Sequence, residues 1–100
     1  MTIEETFGSE YLEKEFGKLS FGQALWSYRK CAEISQKELA LSLGISSQSL
    51  CDIEKSRKIP SPERAAKIAK QIGQPEKIWI ELALQDSLRK GNLDYVVSVA

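Results

Sequence analysis

The chain contains no histidine. That removes the side chain whose ordinary pKa lies nearest neutrality, and with it the usual acid–base residue and a major metal ligand. Its two cysteines, Cys31 and Cys51, lie far apart within helical patterns. They read as small core or boundary residues rather than as a disulfide framework or a zinc site. The six glycines are scattered and form no phosphate-cradling loop. No apolar run approaches the roughly 18 residues that span a bilayer. The opening MTIEETFGSE is acidic and lacks an apolar stretch, so it is not expected to be a signal peptide. Glu33 and Glu38 fall on polar parts of helices and do not form a catalytic pair. These absences exclude most enzyme chemistry, predict no cofactor, metal or membrane contact, and make a cytoplasmic location the expectation.

Excess charge of one sign is also lacking: 14 basic residues balance 14 acidic ones. The distribution is uneven, however. Residues 1–18 hold five acids and two bases, residues 19–77 ten bases and six acids, and residues 78–100 two bases and three acids. Attraction to a polyanion depends on the local field, so a central excess of +4 is compatible with nucleic acid. The length of 100 residues allows one modest core. The organisation read from the sequence is an N-terminal extension over 1–19, a helical domain over 20–86 and a C-terminal tail over 87–100.

Hydrophobic spacing predicts five helices. The first spans about 20–32, with Ser20 as N-cap, Phe21, Leu25 and Tyr28 on one face and Trp26 beside it. The second spans about 36–43, introduced by Ser35 and Glu38 as a capping box. Leu39, Ala40 and Leu43 face inward, and Gly44 ends the helix in a left-handed turn. Ile45 plugs the corner. Ser46 caps a third helix over 47–55, with Leu50 and Ile53 inward. Residues 47, 48 and 52 share the opposite face, because side chains one turn apart are neighbours. Ser61 and Pro62 open a fourth helix that ends at Gly73. Pro75 opens a fifth, ending near Asp86 or running as far as Lys90. After the Gly91–Asn92 turn signal, LDYVVSVA is rich in β-branched and aromatic residues and predicts one short strand.

The second and third helices with their tight turn have the layout that places a helix in the major groove of DNA. The order SQKELALSLGIS followed by SQSLCDIEKSRKIPSPERAAKIAKQIG resembles the all-α, five-helix repressor-like helix-turn-helix (XRE-type) domain. Phage repressors, Cro-like proteins and the antitoxins of small toxin–antitoxin operons share that domain. The resemblance covers about residues 20–84. It rests on Gln36, Leu39 and Ala40, on the turn Gly44–Ile45–Ser46, on Leu50, Ile53 and Glu54, and on Pro60. One departure is local: Ser56 stands where the family often has glycine.

The resemblance implies that Gln36 contacts a phosphate and that Arg29 and Glu54 form a structural ion pair. It also puts Gln48 on the groove-facing side, where its amide matches adenine N7 and N6–H. Ser47 and Asp52 are the other candidate base readers, Asp52 through cytosine N4 or by orienting a neighbour. Ser46, Ser49, Lys37, Lys55, Arg57 and Lys58 are candidate phosphate contacts, which position a protein without reading sequence. Specificity normally needs two half-sites, so a homodimer on double-stranded DNA is expected. Trp79, Ile80, Leu84, Tyr95, Val97 and Val99 are candidate dimer or partner contacts, with the protomer core as the equal alternative for Trp79. The expected function is a DNA-binding transcriptional regulator, in the form of a repressor bound to an inverted repeat. The alternative is an antitoxin whose acidic flank masks a small basic toxin protein.

Overall fold

The computed structural model describes residues 19–93 and 95–97. Five helices run in order among them: α1 Phe21–Cys31, α2 Gln36–Leu43, α3 Ser47–Glu54, α4 Pro62–Gln71 and α5 Glu76–Lys90. No described helix is long and apolar enough to cross a membrane.

The starts of the helices follow from short-range chemistry. Ser20 accepts from Gln23 N at 3.0 Å, and Ser20 N donates to Gln23 Oε1 at 3.0 Å, so α1 begins in a complete capping box. Ser35 and Glu38 make the same reciprocal pair for α2. The hydroxyls of Ser46 and Ser61 cap α3 and α4 by accepting from Ser49 N and Arg64 N. Gly44, at φ 71°, closes α2 in the left-handed conformation and lets Ile45 N return to Ala40 O at 3.0 Å. This turn is short enough that α3 leaves at once in a new direction.

The core collects one face from each helix. Phe21 and Leu25 come from α1, Leu39 and Ala40 from α2, Leu50 and Ile53 from α3, Ala65, Ile68 and Ala69 from α4, and Trp79 and Ala83 from α5. Trp79 sits edge-on to Phe21, with ring centroids 5.2 Å apart. It is therefore a core residue of the protomer. α5 continues past Asp86 to Lys90, the longer of its two expected lengths.

The expected C-terminal strand is corrected: the described residues contain no β-strand. Strand preference expresses pairing with a neighbour, and the described residues offer none. The backbone polar groups find a side chain instead. Gln85 Nε2 donates to Tyr95 O at 2.8 Å, and Val97 N donates to Gln85 Oε1 at 2.8 Å. One amide thus supplies the donor and the acceptor that a ladder would have supplied. Val99 and the extension over residues 1–18 lie outside the described residues.

Candidate nucleic-acid interface

α3 is fixed from behind by apolar burial and by a buried polar network. Leu50 is fully buried and Ile53 nearly so. Arg29 Nε donates to Glu54 Oε2 at 2.7 Å, and Arg29 Nη2 donates to Glu54 Oε1 at 3.1 Å. Both residues are buried, at 8% and 7% exposure. Donating to the Glu54 carboxylate strengthens the hold of Arg29 on its proton, against the opposing effect of burial. Arg29 Nη1 also donates to Ile34 O, so the same guanidinium braces the loop between α1 and α2. Gln36 Nε2 joins from α2, donating to Glu54 Oε1 at 3.1 Å. Three helices therefore meet on one carboxylate near the end of α3. Gln36, expected at a phosphate, is half-buried and has its amide nitrogen turned into this network.

Two contributors to this frame, Gly22 and Asp86, went unread in the sequence. Gly22 lies where α1 crosses the end of α3. A Cβ there would overlap the carbonyl oxygen of Ile53 and stand 2.8 Å from that of Glu54, too close for real atoms. Its signal was an isolated glycine inside a helical pattern. Asp86 Oδ2 accepts from Phe21 N at 2.8 Å, so α5 caps a free amide of α1 from across the fold. Its signal was position: residues 79, 83 and 86 form one helical stripe, and all three are buried. Burial raises the Asp86 carboxyl above the ordinary aspartate range, opposed by the Phe21 amide and by Arg89. Ser20 and Ser56 share a hydroxyl hydrogen bond at 3.1 Å, which ties the start of α1 to the turn after α3. Ser56 takes φ 61°, a left-handed backbone on a side-chain-bearing residue.

The outer side of α3 is polar. Ser46, Ser47 and Gln48 are exposed, and Ser49 and Asp52 are half-buried. Gln48 Nε2 donates to Asp52 Oδ1 at 3.0 Å. Arg57 turns back from the following loop, with Nε 2.9 Å and Nη2 2.8 Å from the same oxygen. The Arg57 hydrogen bond holds the Asp52 carboxyl below the usual range, with smaller help from Gln48 and the nearby charge of Lys58. Backbone amides of Arg57 and Lys58 both return to Asp52 O, at 2.8 and 3.2 Å. Lys55, Arg57 and Lys58 are exposed around this end of α3, and Lys37 is exposed on α2.

The candidate partner residues divide. Trp79 is inside the core, Ile80 and Leu84 are half-buried on α5, Tyr95 is exposed and Val97 half-buried. Ile78, Leu93 and Val96 add exposed apolar surface to the chain's C-terminal part. Among the described residues, no group of acidic or cysteine side chains is arranged to hold a metal ion.

A family model described as helix-turn-helix matches residues 27–79, which includes α2, α3, their turn and all of α4. No curated protein and no solved structure matches the chain.

Proposed function

The chain belongs to the helix-turn-helix family, whose members are DNA-binding regulators and not enzymes, and from that premise we propose that it is a sequence-specific transcriptional regulator acting in the cytoplasm as a repressor. The observation that carries this reading is the two-sided build of α3. One side is locked by Leu50, Ile53 and the Arg29–Glu54–Gln36 network, and the other presents Ser47 and Gln48 beside a rim of Lys55, Arg57 and Lys58. A rigid helix with a polar outer face suits the major groove, where base edges carry a distinct pattern of donors and acceptors. The surrounding bases, with Lys37, Ser46 and Ser49, fit the phosphates on either side.

A single α3 reads one short half-site. The reading therefore includes a homodimer on an inverted repeat whose halves lie about 34–36 Å apart. Ile80 and Leu84 on α5, together with exposed Ile78 and Tyr95, are the surface proposed for that contact.

The test is selection from 30-bp duplexes with randomised centres, followed by light scattering of the protein alone and on the enriched duplex. An enriched inverted repeat, bound by two chains and weakened steeply by salt, is the expected result. Enrichment of no sequence overturns the reading. Co-recovery of a stoichiometric small basic protein from cells would move it to the antitoxin form.

A further inference from the structure

The outer face of α3 holds an arrangement that a solvated helix does not need. Asp52 Oδ1 receives Gln48 from one turn earlier and Arg57 from the loop beyond, both on a single oxygen. An ionised carboxylate only accepts hydrogen bonds, so it binds the Gln48 amide by its nitrogen end and not by its oxygen. One of the two Nε2–H groups is then committed. The amide retains one donor and one acceptor. Adenine offers one acceptor, N7, and one donor, the N6 amino group, in the major groove. Guanine offers two acceptors there, N7 and O6, and would face the Gln48 oxygen with a lone pair. A glutamine free to turn could bring both of its N–H groups to guanine, whereas one held by Asp52 cannot.

We propose that Asp52 is a positioning residue that sets base specificity without itself touching a base: it holds Gln48 in the orientation that accepts adenine and rejects guanine. This inference rests on the DNA-binding reading above. Arg57 completes the device. Its guanidinium neutralises the carboxylate, so an anion can stand on the groove-facing helix without driving phosphate away. With five N–H donors it can still meet a phosphate from the same position. The two backbone bonds from Arg57 and Lys58 to Asp52 O fix the loop that carries the guanidinium. Direct contact with cytosine N4 is the other chemistry open to a carboxylate.

The experiment compares base preferences of the wild type, Asp52→Ala, Asp52→Asn, Gln48→Ala and the double variant on the randomised 30-bp duplex pool. Affinity for one fixed duplex of unselected sequence is measured alongside. Thermal melts establish that each variant is folded. Asp52→Ala is expected to lose about tenfold of the adenine-over-guanine preference at the base pair where Gln48→Ala also loses it. The double variant is expected to lose no more than Gln48→Ala alone, because both changes remove one interaction. Affinity for the unselected duplex is expected to rise several-fold in Asp52→Ala, because the Arg57 charge is released from its pair and freed for phosphate. Asp52→Asn keeps an acceptor oxygen at the same place and is expected to recover much of the adenine preference. A wild-type base profile in Asp52→Ala overturns the inference, leaving the DNA-binding reading intact. So does loss of a cytosine preference at a different position, which would make Asp52 a reader. A wild-type chain that enriches no duplex overturns both.

Discussion

Arg29 grips both carboxylate oxygens of Glu54, one through Nε at 2.7 Å and the other through Nη2 at 3.1 Å, with neither residue more than 8% exposed. The pair joins the last turn of α1 to the last residue of α3. A planar guanidinium facing a planar carboxylate fixes direction as well as distance, so α3 can neither roll nor slide without breaking two charge-assisted bonds. The face that α3 turns outward is thus determined partly by a contact on its far side.

Removing one partner of this pair leaves the other charge buried. Glu54→Ala is expected to destabilise the fold by about 3–5 kcal/mol, read by urea denaturation. Pairing Arg29→Met with Glu54→Leu is expected to recover most of that loss, since both charges leave together. A double variant as unstable as the single one would contradict this account.

Gly22→Ala is expected to destabilise by about 2–3 kcal/mol, at the upper end of overpacking effects, because the obstacle is backbone oxygen rather than a yielding side chain. A Gly22→Ala melt within 0.5 kcal/mol of wild type, about the scatter of surface changes, would mean that α1 can retreat from α3 freely.

Ser56→Gly is expected to stabilise the protein by about 0.5 kcal/mol. Relief of the left-handed backbone, roughly 1–2 kcal/mol, outweighs the exposed hydrogen bond lost to Ser20. Ser56→Ala keeps the strain, loses the hydroxyl and is expected to destabilise. The opposite signs of the two substitutions are the check, by thermal melts in one buffer.

Two aspartates are expected to titrate on opposite sides of the ordinary value of about 3.9. The folded Asp52 carboxyl lies low because of Arg57, so its contribution to stability is present above that value and is lost as pH falls through the lowered one. The folded Asp86 carboxyl lies high because of burial. The folded state binds that proton more readily than the unfolded chain, so stability falls as pH rises between the ordinary and the raised values. Carbon-detected NMR titration of the carboxyl signals should place Asp52 below Asp86, and the reverse order would contradict the assigned causes.

The parts legible in the sequence were those encoded over a few residues. Ser35 with Glu38, Gly44, and Leu50 with Ile53 announce the caps, the turn and the inward face of α3, because each acts on near neighbours. The approach of Arg29 to Glu54 was expected only through the family resemblance, since nothing local links positions 25 apart. Gly22 and Asp86 stayed hidden for the same reason: their partners are distant in sequence, and only packing joins them. α5 was ambiguous because it is apolar on more than one side, so the sequence could not say whether Trp79 faced inward. The ring of Phe21 settles its place. The tail was misread because its residues favour strands in general, whereas the nearest suitable hydrogen-bonding group is the amide of Gln85.

The bond from Phe21 N to Asp86 joins positions 65 apart. During folding, a contact that closes so long a loop must wait until the intervening chain has become compact, whereas the α2–α3 corner closes only a few residues. The expected order of assembly has the corner that presents the outer helix face forming early and the start of α1 docking against α5 late. Asp86→Ala should then speed unfolding and leave the folding rate almost unchanged. A chain that has just lost that last contact would still carry its helix-turn-helix corner nearly intact.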